Sequence, residues 1–119
     1  MSVKEITIAT DYTAVPGGRF AKYGPFSGED FRDNVLSPAL KEHDRVVVNL
    51  DGTKTLMSSF LEEAFGGLIR ERGFSYEVLK TKLVVQASAP RYSIYMKMIE
   101  QNLTDAAAEA AGKKSPRVA

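Results

Sequence analysis

An α/β domain built on a mixed, mainly parallel sheet with about three amphipathic helices is the fold class this sequence predicts. Two patterns carry the prediction. Short apolar or β-branched runs recur at residues 3–9, 45–50 and 83–87. Segments whose apolar residues recur at helical spacing follow them. A third observation bounds the answer: 119 residues, 44% of them hydrophobic, suffice for one core and leave no room for a second domain. Residues 1–112 are assigned to that domain and residues 113–119 to a flexible C-terminal tail.

Each element has its own signal. Ile6 and Ile8 fall on one face of a first strand, Val3 to Ala9. A long connection, Thr10 to Gly24, holds the turn sequence Pro16-Gly17-Gly18, and Arg19 to Tyr23 is expected to return as a short strand, making a hairpin. Ser27-Gly28-Glu29-Asp30 has the form of a capping box, so a helix starts at Ser27, with Phe31, Val35 and Leu36 on its apolar face. Pro38 lacks an N–H and is expected to break or kink this helix after Ser37. Val46-Val47-Val48 is a continuous β-branched run, as in a central parallel strand, and Asp51-Gly52 is a turn. Ser59 and Glu62 form a second capping box, opening a helix whose stripe is Phe60, Leu61, Ala64, Phe65, Leu68 and Ile69 and whose end is Gly73. Leu83 to Ala87 is the last strand. Pro90 starts the last helix, with Tyr92, Tyr95, Met96, Ile99 and Leu103 toward the core. Its alanine-rich end, Asp105 to Ala111, has little to bury, and Gly112 is expected to stop it. The order reads strand, loop or strand, helix, strand, helix, strand, helix.

Composition then excludes several function classes. No cysteine is present, so disulfides and thiolate metal sites are ruled out, and His43 is the only histidine, so no histidine cluster and no metal site is expected. A net charge of +1 argues against a nucleic-acid binder. No apolar stretch has the length of a signal peptide or a membrane span, and Asn102-Leu103-Thr104 therefore reads as an accidental glycosylation triplet. A cytoplasmic protein with no cofactor and no membrane association is expected.

Three places offer chemistry. Pro16-Gly17-Gly18-Arg19 reads as a turn with a surface arginine, and its alternative is a small-ligand, nucleotide or phosphate site using the Gly17 and Gly18 N–H groups and the Arg19 guanidinium. Ser59, His43 and an acid such as Asp51 contain the residue types of a hydrolytic triad, but no nucleophile elbow surrounds the serine. Ser58-Ser59 follows a central strand and opens a helix, the position where ligands and partners dock in open α/β sheets. On residue chemistry alone Ser59 is an N-cap, and Glu62 and Glu63 are first-turn acids that complement the helix dipole.

The stretch Val46 to Gly52, Leu56 to Leu61 and Phe65 to Leu68 resembles the STAS domain family, which includes the anti-sigma factor antagonists. The hallmark of that family is Asp-Ser-Ser-Gly-Leu at the start of a helix. Placed on Met57 to Leu61, it agrees at Ser58, Ser59 and Leu61 and departs at Met57 and Phe60. Taken whole, residues 3–87 look most like the divergent STAS-like domains of unknown function, through Pro16 to Arg19, Gly24 to Arg32, and Ser58 to Gly67. The resemblance implies a non-catalytic, regulatory protein-interaction module that works by partner switching. It makes Ser59 the phosphoacceptor candidate with Ser58 beside it, and Met57, Phe60, Glu62 and Glu63 the partner-binding surface. It implies a kinase-like ATPase or an anti-sigma-type protein as the partner. Phenylalanine at 60 in place of glycine is expected to hinder close approach, and Glu62 and Glu63 are expected to repel a phosphate on Ser59.

Overall fold

A computed structural model describes residues 2–114. Three strands, β1 (Val3–Thr7), β2 (Arg45–Asn49) and β3 (Leu83–Gln86), pair in the order β1-β2-β3, and both pairings are parallel. The register sets Ile6 beside Val48 and Val48 beside Val85, so one face of the sheet carries Ile6, Val46, Val48, Leu83 and Val85. All of these are buried except the half-buried Val85. The other face carries Val3, Glu5, Arg45 and Gln86, which are exposed, and Thr7, Val47, Asn49 and Val84, which are half-buried.

Among the described residues the sheet is wholly parallel, not mixed, because the expected return strand does not form. Pro16 to Arg19 lies extended beside Phe26 to Glu29: Gly17 N–H donates to the Phe26 carbonyl at 2.9 Å, and Gly28 and Glu29 N–H donate to the Gly18 and Arg19 carbonyls at 2.9 and 3.0 Å. Ala21–Tyr23 is a single 3-10 turn. The hairpin is replaced by a segment that completes the start of a helix.

Helix α1 covers residues 28–42 in three parts: Gly28–Phe31, a π-helical turn Arg32–Leu36, and Ser37–Glu42. Ser27 caps it as expected, its Oγ accepting from Asp30 N–H at 3.0 Å. Pro38 does not break it. The Ser37 N–H donates five residues back to Arg32, and this wide turn absorbs the proline, which has no N–H and needs room at the preceding turn. Helix α2 covers residues 58–70 and has the same plan: Ser58–Leu61, a π turn Glu62–Gly66, then Gly67–Arg70. Gly73 ends it at φ +75, with Phe74 N–H donating to the Leu68 carbonyl. The stripe Phe60, Leu61, Ala64, Phe65, Leu68 and Ile69 is buried throughout.

Two parallel crossovers that step the same way across a sheet put their helices on one face. The helices meet closely: a Cβ on Gly28 would overlap the Phe60 carbonyl oxygen of α2. Helix α3 (Tyr76–Lys82) is an addition to the expected order, capped by Ser75, whose side chain accepts from Val78 N–H. Helix α4 (Ser93–Lys114) follows the 3-10 turn Pro90–Tyr92 and runs through Gly112 rather than stopping there. Its alanine end also has work: Ala106 is buried, and Ala107 and Ala110 pack against the core. The rest of the expected tail, residues 115–119, lies outside the described residues. None of the described helices is long and apolar enough to cross a membrane.

Candidate functional site

Parallel strands deliver their following loops to one edge of the sheet, and the loops after β1, β2 and β3 are bound together there. Lys54 N–H donates to the Ala14 carbonyl at 2.8 Å. Asp51 accepts from the Ser88 N–H at 2.9 Å and from its hydroxyl at 3.0 Å. The Tyr92 hydroxyl donates to the Thr53 carbonyl at 2.8 Å and accepts from Gly52 N–H at 3.1 Å. The loop before α2 is thus held on both sides, which fixes where Met57 to Ser59 emerge.

At that point the expected second capping box is absent. The N-cap residue is Met57, not Ser59, and Met57 has no side-chain acceptor to offer; Ser58 and Ser59 are the first two helical residues. Met57 is 50% exposed, Ser58 is exposed and Ser59 half-buried. Among the described residues, neither serine hydroxyl has a hydrogen-bond partner, and the first intrahelical bond is made by Leu61 N–H to the Met57 carbonyl. The position that carries aspartate in the resembling hallmark is therefore the cap position, and methionine leaves it empty. Among the described residues, the N–H groups and hydroxyls of Ser58 and Ser59 have no partner at this end of α2, the arrangement that receives anions at helix starts.

Of the expected partner surface, Phe60 and Glu63 are buried, while Glu62 stays part-exposed. Phe60 is fully buried and its ring lies 5.8 Å from that of Phe31, so it fills the space between α1 and α2 and does not project at a visitor. Glu63 is buried. Its carboxylate is met by Arg32, also buried, by Arg19 at 3.1 Å and by Arg70 at 3.2 Å. Glu62 is bridged by Arg19 and by Arg70 at 2.7 Å. Arg32 also reaches Asp33 at 2.8 Å, and Arg72 holds Asp33 from the end of α2 at 2.8 Å. Gly67 makes room for this cluster, since a Cβ there would come within 2.5 Å of the Arg32 guanidinium.

The electrostatics follow from these contacts. Hydrogen bonds from Arg72, then Arg32, hold Asp33 far below the usual carboxylate range. Burial pushes Glu62 up, but the hydrogen bonds from Arg70 and Arg19 outweigh it and keep it below its ordinary value. Both carboxylates on α2 are met by guanidinium groups, Glu62 by Arg19 and Arg70 and Glu63 by Arg19, Arg32 and Arg70, which offset the expected repulsion of a phosphate on Ser59.

In the Pro16 to Arg19 segment, two of the three groups of the anion-site alternative already have partners: Gly17 N–H donates to the Phe26 carbonyl and the Arg19 guanidinium to Glu62 and Glu63. The residues of the possible triad are not assembled either. His43 precedes β2, whereas Asp51 and Ser59 follow it, so the length of a five-residue strand, about 16 Å, separates them. Sequence reasoning missed Arg32, Arg70 and Asp33. A signal existed: Arg32 lies between Phe31 and Leu36 on an apolar face, and Glu63 between Phe60 and Ala64.

A singly wound parallel sheet, two helices stacked on one face and an open start to the second helix define the class of this domain. The chain belongs to the family of STAS-like domains of unknown function (DUF4325), whose profile matches residues 27–92. The match runs from the serine that caps α1 to the tyrosine that pins the loop before α2; β1 and Arg19 lie outside it. No curated protein and no solved structure matches the chain.

Proposed function

We propose that this STAS-like domain is a regulatory, non-catalytic protein-interaction module that docks through the open start of α2, with Ser59 as its phosphoacceptor. The partner is a kinase-like ATPase or an anti-sigma-type protein, as the resemblance to anti-sigma factor antagonists implies. The observation that carries the reading is the uncapped first turn, with Met57 and Ser58 exposed and Ser59 half-buried at the loop edge of the sheet. Phosphorylation there transfers the γ-phosphoryl of ATP to Ser59 Oγ, releasing ADP and the hydroxyl proton. The product adds about −2 charge to the docking face while meeting free N–H groups of the helix start.

The test joins two measurements. Mass spectrometry after incubation with ATP and a candidate kinase-like ATPase is expected to place one phosphate on Ser59, and none in Ser59→Ala. Pull-down of the same partner is expected to succeed with the wild type and to fall at least tenfold with Ser59→Asp. Equal recovery of the partner by both proteins, with no phosphate on Ser59, would overturn the switch.

A further inference from the structure

The helices cover one face of the sheet only. Helices α3 and α4 lie on the same side as α1 and α2: Leu79 of α3 and Ile99 and Leu103 of α4 line one groove with Leu83 and Val85, which belong to the inner face. The outer face is bare. Val3 on it is 56% exposed, and Val47 and Val84 are only half-buried. A wholly parallel sheet is ordinarily covered on both faces, and its strands are apolar on both. Strand β2 has that character, with Val47 turned outward between the inward Val46 and Val48.

Of the strand residues on the bare face, only Glu5 and Arg45 are charged, and among the described residues neither has an ion-pair partner. The register places Glu5 beside Val47 on the neighbouring strand, and Arg45 two residues before Val47 on the same strand. From Val47, Glu5 is thus about 4.8 Å away across the sheet and Arg45 about 6.6 Å away along it. A two-fold axis lying flat between two such sheets, and bisecting those two directions at Val47, exchanges the two positions. It sets Glu5 over the partner's Arg45 twice, with an offset of about 2 Å that long side chains take up. The same axis sets Val47 on the partner's Val47 and crosses the strands near a right angle, one of the two ways in which sheets stack.

We infer that the bare sheet face is the docking surface for a second copy of this chain, stacked orthogonally about Val47 and held by two reciprocal bridges between Glu5 and Arg45. The occupant is a second copy because the acid and the base sit at positions that a two-fold exchanges, which makes the face complementary to itself. Three strands of five residues span roughly 15 by 16 Å, a few hundred Å² per copy, short of the ~800 Å² per partner of a standard interface. The dimer is therefore one that forms and dissociates with concentration. The inference is independent of the reading of Ser59, because α2 lies on the opposite side of the sheet.

The test is sedimentation equilibrium of the full chain from the low micromolar to the millimolar range. The average mass is expected to rise from one chain toward two. Glu5→Arg and Arg45→Glu are each expected to weaken association at least tenfold, since each sets like charges opposite one another. An equimolar mixture of the two variants is expected to recover the dimer, because both bridges then form between unlike variants with opposite signs. A chain that stays single at every concentration overturns the proposal and gives the face to another macromolecule. Association unchanged in both variants, or a mixture that does not recover it, also overturns the proposal.

Discussion

The two stacked helices of this domain begin in opposite ways. The start of α1 is closed: Ser27 Oγ takes the Asp30 N–H, the Gly18 and Arg19 carbonyls take those of Gly28 and Glu29, and the Tyr12 O–H is shared between the Asp30 carboxylate at 2.6 Å and the Ser27 carbonyl at 3.1 Å. The start of α2 is open, with a methionine at the cap and two hydroxyls that have no partner among the described residues. The helices share a sheet face, a π turn and a boundary residue, Gly28 against Phe60, so the surroundings do not account for the difference. The chain spends a whole loop completing one helix start and leaves the other unfinished. An unfinished start is tolerable only where water or a ligand can reach the N–H groups.

The largest effect is expected where the closed start touches its neighbour. Gly28→Ala puts a methyl group into the Phe60 carbonyl, and backbone on both sides has little room to give; a loss of about 2–3 kcal/mol is expected in urea unfolding. Next comes a mirror pair. Ser27→Ala removes a working cap and should cost about 1 kcal/mol, lowering the melting temperature by roughly 4 °C. Met57→Asp supplies the missing cap and should raise stability by about 1 kcal/mol. If Met57→Asp proves neutral, the α2 start is already satisfied and the contrast fails.

A smaller effect should separate the two ends of α2. Asp33 is held by Arg72 and Arg32, and its ionisation in the folded chain lies below that in the unfolded chain. Its contribution is therefore present above the unfolded carboxylate range and is lost as pH falls through that range toward the folded value. Between pH 5 and pH 2 the wild type should lose stability more steeply than Asp33→Asn, as read by denaturant midpoints. Smallest of all, Ser58→Ala and Ser59→Ala should each stay within about 0.5 kcal/mol of wild type, since neither hydroxyl has a partner among the described residues. A loss near 1 kcal/mol for Ser59→Ala would return it to the role of cap.

Much of the frame was legible because its signals are local. The β-branched run at Val46 to Val48, the stripe of α2, the cap at Ser27 and the stop at Gly73 depend on residues within a turn or two of one another. The same local logic misplaced the second cap, because Ser59-Glu62 has the spacing of a capping box while Glu62 is drawn away by Arg19 and Arg70. Helix α3 went unseen although Ser75 and Glu77 mark its start and Lys80 and Lys82 its end; its single fully buried residue, Leu79, gives no periodicity to detect. The arginine cluster was illegible for a different reason. Arg19, Arg32 and the α2 pair Glu63 and Arg70 come from three separate segments and meet only after the helices stack.

Each π turn inserts one residue beyond the ordinary helical count, and in α2 that insertion stands between the buried middle of the helix and its first turn. One residue on a helix corresponds to a rotation of about 100°. The compass bearing of Ser58 and Ser59 is thus set by residues 62–66, well away from the serines themselves. Shortening that stretch by a single residue would keep every side chain of the first turn and still point the pair in a new direction, as a key with the right teeth cut on the wrong side of the shank.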